Sequence, residues 1–71
     1  MSNYHERQDK INVHLNELYV KHRLLDNEIK EMYNRFEPDE TINRKKTQKL
    51  WLKDEIHRLE TELRELNATN L

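Results

Sequence analysis

The chain has 71 residues and a formal net charge of −1; 38% of them are charged and 34% hydrophobic, with one proline, no glycine and no cysteine. That length allows one small domain, and a domain this small buries only about 60% of its unfolded surface. With no disulfide framework and no thiolate metal site, stability has to come from helix packing, within the chain or between chains.

The apolar pattern is helical. Tyr4, Ile11, Leu15, Leu18, His22, Leu25, Ile29, Met32 and Phe36 fall on alternating spacings of three and four, interrupted by the polar Gln8. That is a heptad seam with d at 4, 11, 18, 25 and 32 and a at 8, 15, 22, 29 and 36. It predicts a first helix over about 3–36, with Asn3 and Glu6 at the spacing of a capping box. Pro38 disfavours the α region for Glu37, so the helix has to end at or before Phe36. A turn at 37–38 follows. Pro38, Asp39 and Glu40 then read as the opening of a second helix over about 39–67, with acids at its positive end. Its seam is Leu52, Ile56, Leu59, Leu63 and Leu66, extended backward by Ile42, Lys45 and Lys49. Seven acid-to-base pairs at i,i+4, such as Glu31/Arg35, Glu40/Arg44 and Glu60/Arg64, add about 0.2–0.5 kcal/mol each to long helices. The absence of glycine argues against tight hairpins and barrels.

The fold class is therefore all-α: an antiparallel, coiled-coil-like two-helix hairpin in a single domain over 1–71, assembling into a helical bundle. The expected register sets Leu15 by Leu66, Leu18 by Leu63, His22 by Leu59, Leu25 by Ile56 and Ile29 by Leu52, with Asp26 facing Lys53 and Tyr33 facing Lys46. A slip of one heptad would set Leu25 against Lys49 and Ile29 against Lys45. Burying those ammonium groups without partners is costly, and the slipped register is disfavoured on that ground.

Not all apolar residues fit the seam. Val13, Val20 and Leu24 lie on the far side of helix 1; on helix 2, Leu50 points away from the Leu52/Ile56/Leu59 row and Trp51 sits to its flank. Two helices have no third layer to cover these residues, so they are the candidate interface of a homo-oligomer.

Candidate chemistry is sparse. No two of His5, His14, His22 and His57 are three or four residues apart, so no helix face presents a two-histidine metal pair, and neither metal nor cofactor is expected. His22, in the middle of the seam, reads as a polar core residue that sets register and finds a hydrogen-bond partner, or as a pH-sensitive joint. The one serine, Ser2, is terminal, no glycine-rich phosphate loop is possible, and the carboxylates occupy solvated faces, so no enzymatic activity is expected.

Charge alternates along the second half of the chain: net −3 over 37–43, +5 over 44–53 and −3 from 54 onward. The basic row is Arg44, Lys45, Lys46, Lys49 and Lys53. Lys45/Lys49 and Lys49/Lys53 are like-charge i,i+4 pairs, which helix stability alone would avoid. The row reads as a solvated face partly offset by Asp26 and Glu28, as a contact for an acidic protein partner, or as a nucleic-acid contact with Trp51 as a stacking group. The net charge argues against nucleic acid. No apolar run exceeds three residues, so no membrane span and no secretory leader is expected, and the expected address is cytoplasmic.

His22-Arg23-Leu24-Leu25-Asp26-Asn27-Glu28-Ile29, followed after a turn by Lys45-Lys46-Thr47-Gln48-Lys49-Leu50-Trp51-Leu52-Lys53-Asp54-Glu55-Ile56, resembles the YdcH-like family of short bacterial proteins. The resemblance spans about residues 21–56. It implies a helical or coiled-coil fold, no assigned activity, and a shared pattern that includes Leu50, Lys53 and Asp54. The chain departs from the family pattern in its glycine-free turn and its polar first twenty residues. The functional expectation is a self-associating protein-interaction module without catalysis; the alternative is a nucleic-acid-associated protein using the basic row.

Overall fold

The computed structural model describes the backbone of residues 3–69 and the side chains of residues 5–68. It contains α1 (Asn3–Asn34) and α2 (Asp39–Thr69), packed antiparallel into a rod whose extents are 54 × 14 × 13 Å. The molecule is an all-α helical hairpin. The side chains of Asn3 and Tyr4, and with them the capping box, lie outside the described residues.

α1 stops two residues before the expected end because the chain closes it with a Schellman motif. Phe36 takes a left-handed conformation (φ 57°). Its N–H donates to the Tyr33 carbonyl (3.1 Å) and the Glu37 N–H to the Met32 carbonyl (3.0 Å). These two bonds satisfy carbonyls that the helix end would otherwise leave open. The position ordinarily favours glycine, and the chain has none. Phe36, expected at an a position of the seam, is consequently 92% exposed. Left-handed backbone turns its side chain out of the row that the preceding residues follow. Pro38 sits just before α2, where its carbonyl accepts the N–H of Ile42 (3.1 Å) and its missing N–H costs nothing. Asp39 and Glu40 occupy the first turn of α2.

The seam forms in two parts. Ile11, Leu15 and Leu18 are buried with Ile56 and Leu59, and Leu52, Leu63 and Leu66 pack against them. Nearer the turn, Ile29, Met32 and Ile42 form a second buried cluster. His22 and Leu25, half-buried, lie between the two on α1.

The register is the one expected to be disfavoured. Lys49 Nζ lies 2.7 Å from Asp26 Oδ1 and Lys45 Nζ 3.2 Å from Glu28 Oε2, which brings these lysines to the level of Leu25 and Ile29. Two physical facts reverse the expectation. The connection between the helices is four residues, so Met32 has to meet Ile42, and a heptad offset would need a longer turn. The ammonium groups are also not left unpartnered: Lys45 and Lys49 lay their stems along the seam and carry their charges out to carboxylates on either flank of α1. Asp26 accordingly pairs with Lys49 and not Lys53, while Tyr33 does face Lys46.

Candidate functional site

The basic row does not survive folding as one surface. Arg44 pairs with Glu40 (3.4 Å), Lys45 with Glu28 and Lys49 with Asp26, and Lys46 Nζ stands 5.1 Å from the centre of the Tyr33 ring. Lys53 alone in the row has no such partner among the described residues. Asp26 and Glu28 are about 200° apart around α1, so their lysines leave the seam on opposite sides. The Lys49 hydrogen bond, reinforced by its charge, holds the Asp26 carboxyl below the usual carboxylate range.

The two flanks of the hairpin can be told apart by what bridges them. On one, Tyr19 Oη donates to Glu60, Asp26 accepts from Lys49, Lys46 covers Tyr33, and Gln8 donates to Asn67. On the other, Arg7 pairs with Glu62 and Glu28 with Lys45. The hydrogen bond to Glu60 pushes the Tyr19 phenol above its ordinary value, with burial and the Glu60 charge acting in the same direction. The expected i,i+4 pairs form only in part. Glu31–Arg35 (3.8 Å) and Glu40–Arg44 form as expected, but Glu60 serves Tyr19 in place of Arg64 and Arg58 pairs with Glu55. Cross-helix partners of this kind depend on register, and helix periodicity alone carries no sign of them.

The five candidate interface residues are all exposed. Val13, Val20 and Leu24 form a row on the outer side of α1, with Leu24 61% exposed. Leu50 and Trp51 separate: Leu50 follows Lys46 by four and precedes Lys53 by three, which places it on the Tyr33 flank, and Trp51, 66% exposed, lies about 100° further round α2. His22 is half-buried, and its ring makes no hydrogen bond with any described residue, so the partner expected for it is not found. Its closeness to Asp26 is electrostatic: its charge contributes to lowering the Asp26 carboxyl.

Among the described residues no group of three or more His, Asp or Glu side chains is placed to hold a metal ion, and no helix is long and apolar enough to cross a membrane. A shallow hollow between the helices is lined by Asn12, Asn16, Tyr19, Glu60, Arg64 and Asn67, over Leu15 and Leu63.

Residues 15–60 match the family described as Protein of unknown function (DUF465), the YdcH-like proteins. The chain belongs to this family. The matched span runs from the first core leucine of α1 through the turn to Glu60. It includes both seam lysines with their carboxylates, His22, Val20, Leu24, Leu50 and Trp51, and it leaves Val13 outside. No curated protein and no solved structure gives a significant match.

Proposed function

We propose that this DUF465 protein is a non-catalytic interaction module that self-associates through its exposed apolar residues. The observation that carries the reading is the row of Val13, Val20 and Leu24 on the outer side of α1, exposed along a hairpin whose whole described core is eight buried side chains. Covering that row removes apolar surface from water at about 25 cal/mol per Å², a large gain relative to so thin a core. Trp51 and Leu50 extend the apolar surface onto α2. The non-catalytic reading is supported by hollows that are open surface depressions between solvated charges. The cysteine-free composition, which needs no oxidising compartment, is consistent with a cytoplasmic place of work.

Sedimentation equilibrium from 1 to 200 µM tests the reading. A mass above that of one chain, reduced to the monomer by Val20→Asp with Leu24→Asp at unchanged helicity, is the expected result. A folded monomer across the range would overturn it. The nucleic-acid alternative draws on Lys46, Lys49 and Lys53, but Asp26 and Glu60 share their flank and Lys49 is already paired.

A further inference from the structure

We infer that the hairpin carries two complementary surfaces, a cationic groove on one flank and an acidic apolar stripe on the outside of α1, and that the stripe of a second copy occupies the groove. The inference rests on the self-association reading and names its contact.

The groove lies on the flank bridged by Tyr19–Glu60, Asp26–Lys49 and Tyr33–Lys46. Rows of alternating four and three stay on one side of a coiled helix pair. On α1 the row of Tyr19, Asp26 and Tyr33 includes Arg23 and Lys30; on α2 the row of Lys46 and Glu60 includes Leu50, Lys53 and Arg64. This flank, whose α1 row continues back through Asn16 and Asn12 to Asp9, therefore gathers six of the chain's thirteen basic residues, Arg23, Lys30, Lys46, Lys49, Lys53 and Arg64, and three of its fourteen acids, Asp9, Asp26 and Glu60. Arg23, Lys30, Lys53 and Arg64 form no ion pair among the described residues. Leu50 stands exposed among them. The net charge of −1 is thus the sum of one positive flank and a negative remainder.

The stripe is the complement. The row of Val13, Val20 and Leu24 also holds Glu6, Glu17 and Glu31, with Lys10 its one base, and Lys21 and Arg23 border it on either side. From Glu6 to Leu24 the stripe runs about 27 Å, and the groove from Arg64 to Lys46 about 27 Å, at 1.5 Å per residue. Laid along the groove, the stripe sets its apolar row over Leu50 and the lysine stems and its carboxylates against the unpaired cations. A polynucleotide fits less well. Leu50 has nothing to offer a phosphate, and Trp51, the expected stacking group, lies about 100° round α2 from Leu50. Each chain has one groove and one stripe, so the contact is heterologous, and assembly extends or closes into a ring.

Charge exchange on the full-length chain tests this. Lys30→Glu with Lys53→Glu disables the groove and keeps the stripe; Glu6→Lys with Glu17→Lys does the reverse. All four sites are exposed, and far-UV circular dichroism checks that both variants fold. Sedimentation at low salt is expected to show wild-type assembly that weakens at 0.5 M NaCl, at least tenfold weaker self-association of either variant, and a 1:1 heterodimer when the two are mixed. Persistent assembly of both variants would overturn the groove–stripe contact while leaving apolar self-association standing. Loss in each variant without recovery on mixing would also overturn the contact. A monomeric wild type would overturn both readings, as would a monomer that binds a single-stranded oligonucleotide through Lys30 and Lys53.

Discussion

The two halves of the hairpin solve different problems with the same heptad. Away from the turn, Ile11, Leu15, Leu18, Ile56 and Leu59 bury one another, and no charge enters the seam. Near the turn the buried cluster shrinks to Ile29, Met32 and Ile42, and the next two seam positions of α2 are Lys45 and Lys49. The apolar half supplies burial but is nearly indifferent to a slip of seven residues, because leucine meets isoleucine or leucine in either register. The lysine half adds little net energy, since its ion pairs are half-exposed and screened by solvent. Its value lies in the difference between registers: a heptad slip moves Lys49 about 10 Å from Asp26 and leaves an ammonium group on the seam without its carboxylate. Burial and specification are thus assigned to opposite ends of the rod.

Substitutions can break this comparison at either end. The largest effect is expected in the apolar half. Leu15→Ala or Leu59→Ala should cost about 2–4 kcal/mol, read as a fall in the urea midpoint of the helical signal. At the turn, Phe36→Gly should stabilise the hairpin by about 1 kcal/mol, because glycine takes the left-handed conformation without the Cβ penalty and the exposed ring gives up no packing. A lower midpoint for Phe36→Gly would show that the ring has a partner. Removing both seam carboxylates, Asp26→Asn with Glu28→Gln, should lower the urea midpoint only slightly yet loosen register. Spin labels at Asn16 and Glu60 would then report a second distance population, whereas Leu52→Ala should leave a single one.

The smallest effect is in pH. Lys49 lowers the folded-state pKa of Asp26, so this pair's contribution is complete above the unfolded carboxylate value of about 3.9 and is lost as pH falls through the lower folded value. The stability difference between wild type and Asp26→Asn should accordingly be constant from pH 5 to 8 and shrink below about pH 4.

Much of the secondary structure is legible in the residues one by one. Pro38 marks the break, the acids after it mark the start of α2, and the seam positions that the pattern selects on α2 are all buried or half-buried. Phe36 is the exception on α1. Periodicity carries it into the seam, but closing the helix needs a left-handed residue at that position, and in a chain without glycine the phenylalanine takes it. The basic run was legible as composition but not as a surface. Its neighbours in sequence point to different sides of α2, and the cations they join on the groove flank, Arg23 and Lys30, come from the other helix.

The sequence by itself determines two long helices, the place where they part, and which residues face inward, because these depend on local backbone preferences and on a period that each helix carries alone. Register and charged surfaces are decided only in the tertiary structure. A heptad pattern is unchanged by a slip of seven, so local sequence cannot choose among registers. The choice falls to the four-residue connection and to whether Lys45 and Lys49 reach Glu28 and Asp26. That one choice also aligns the two rows of the cationic groove.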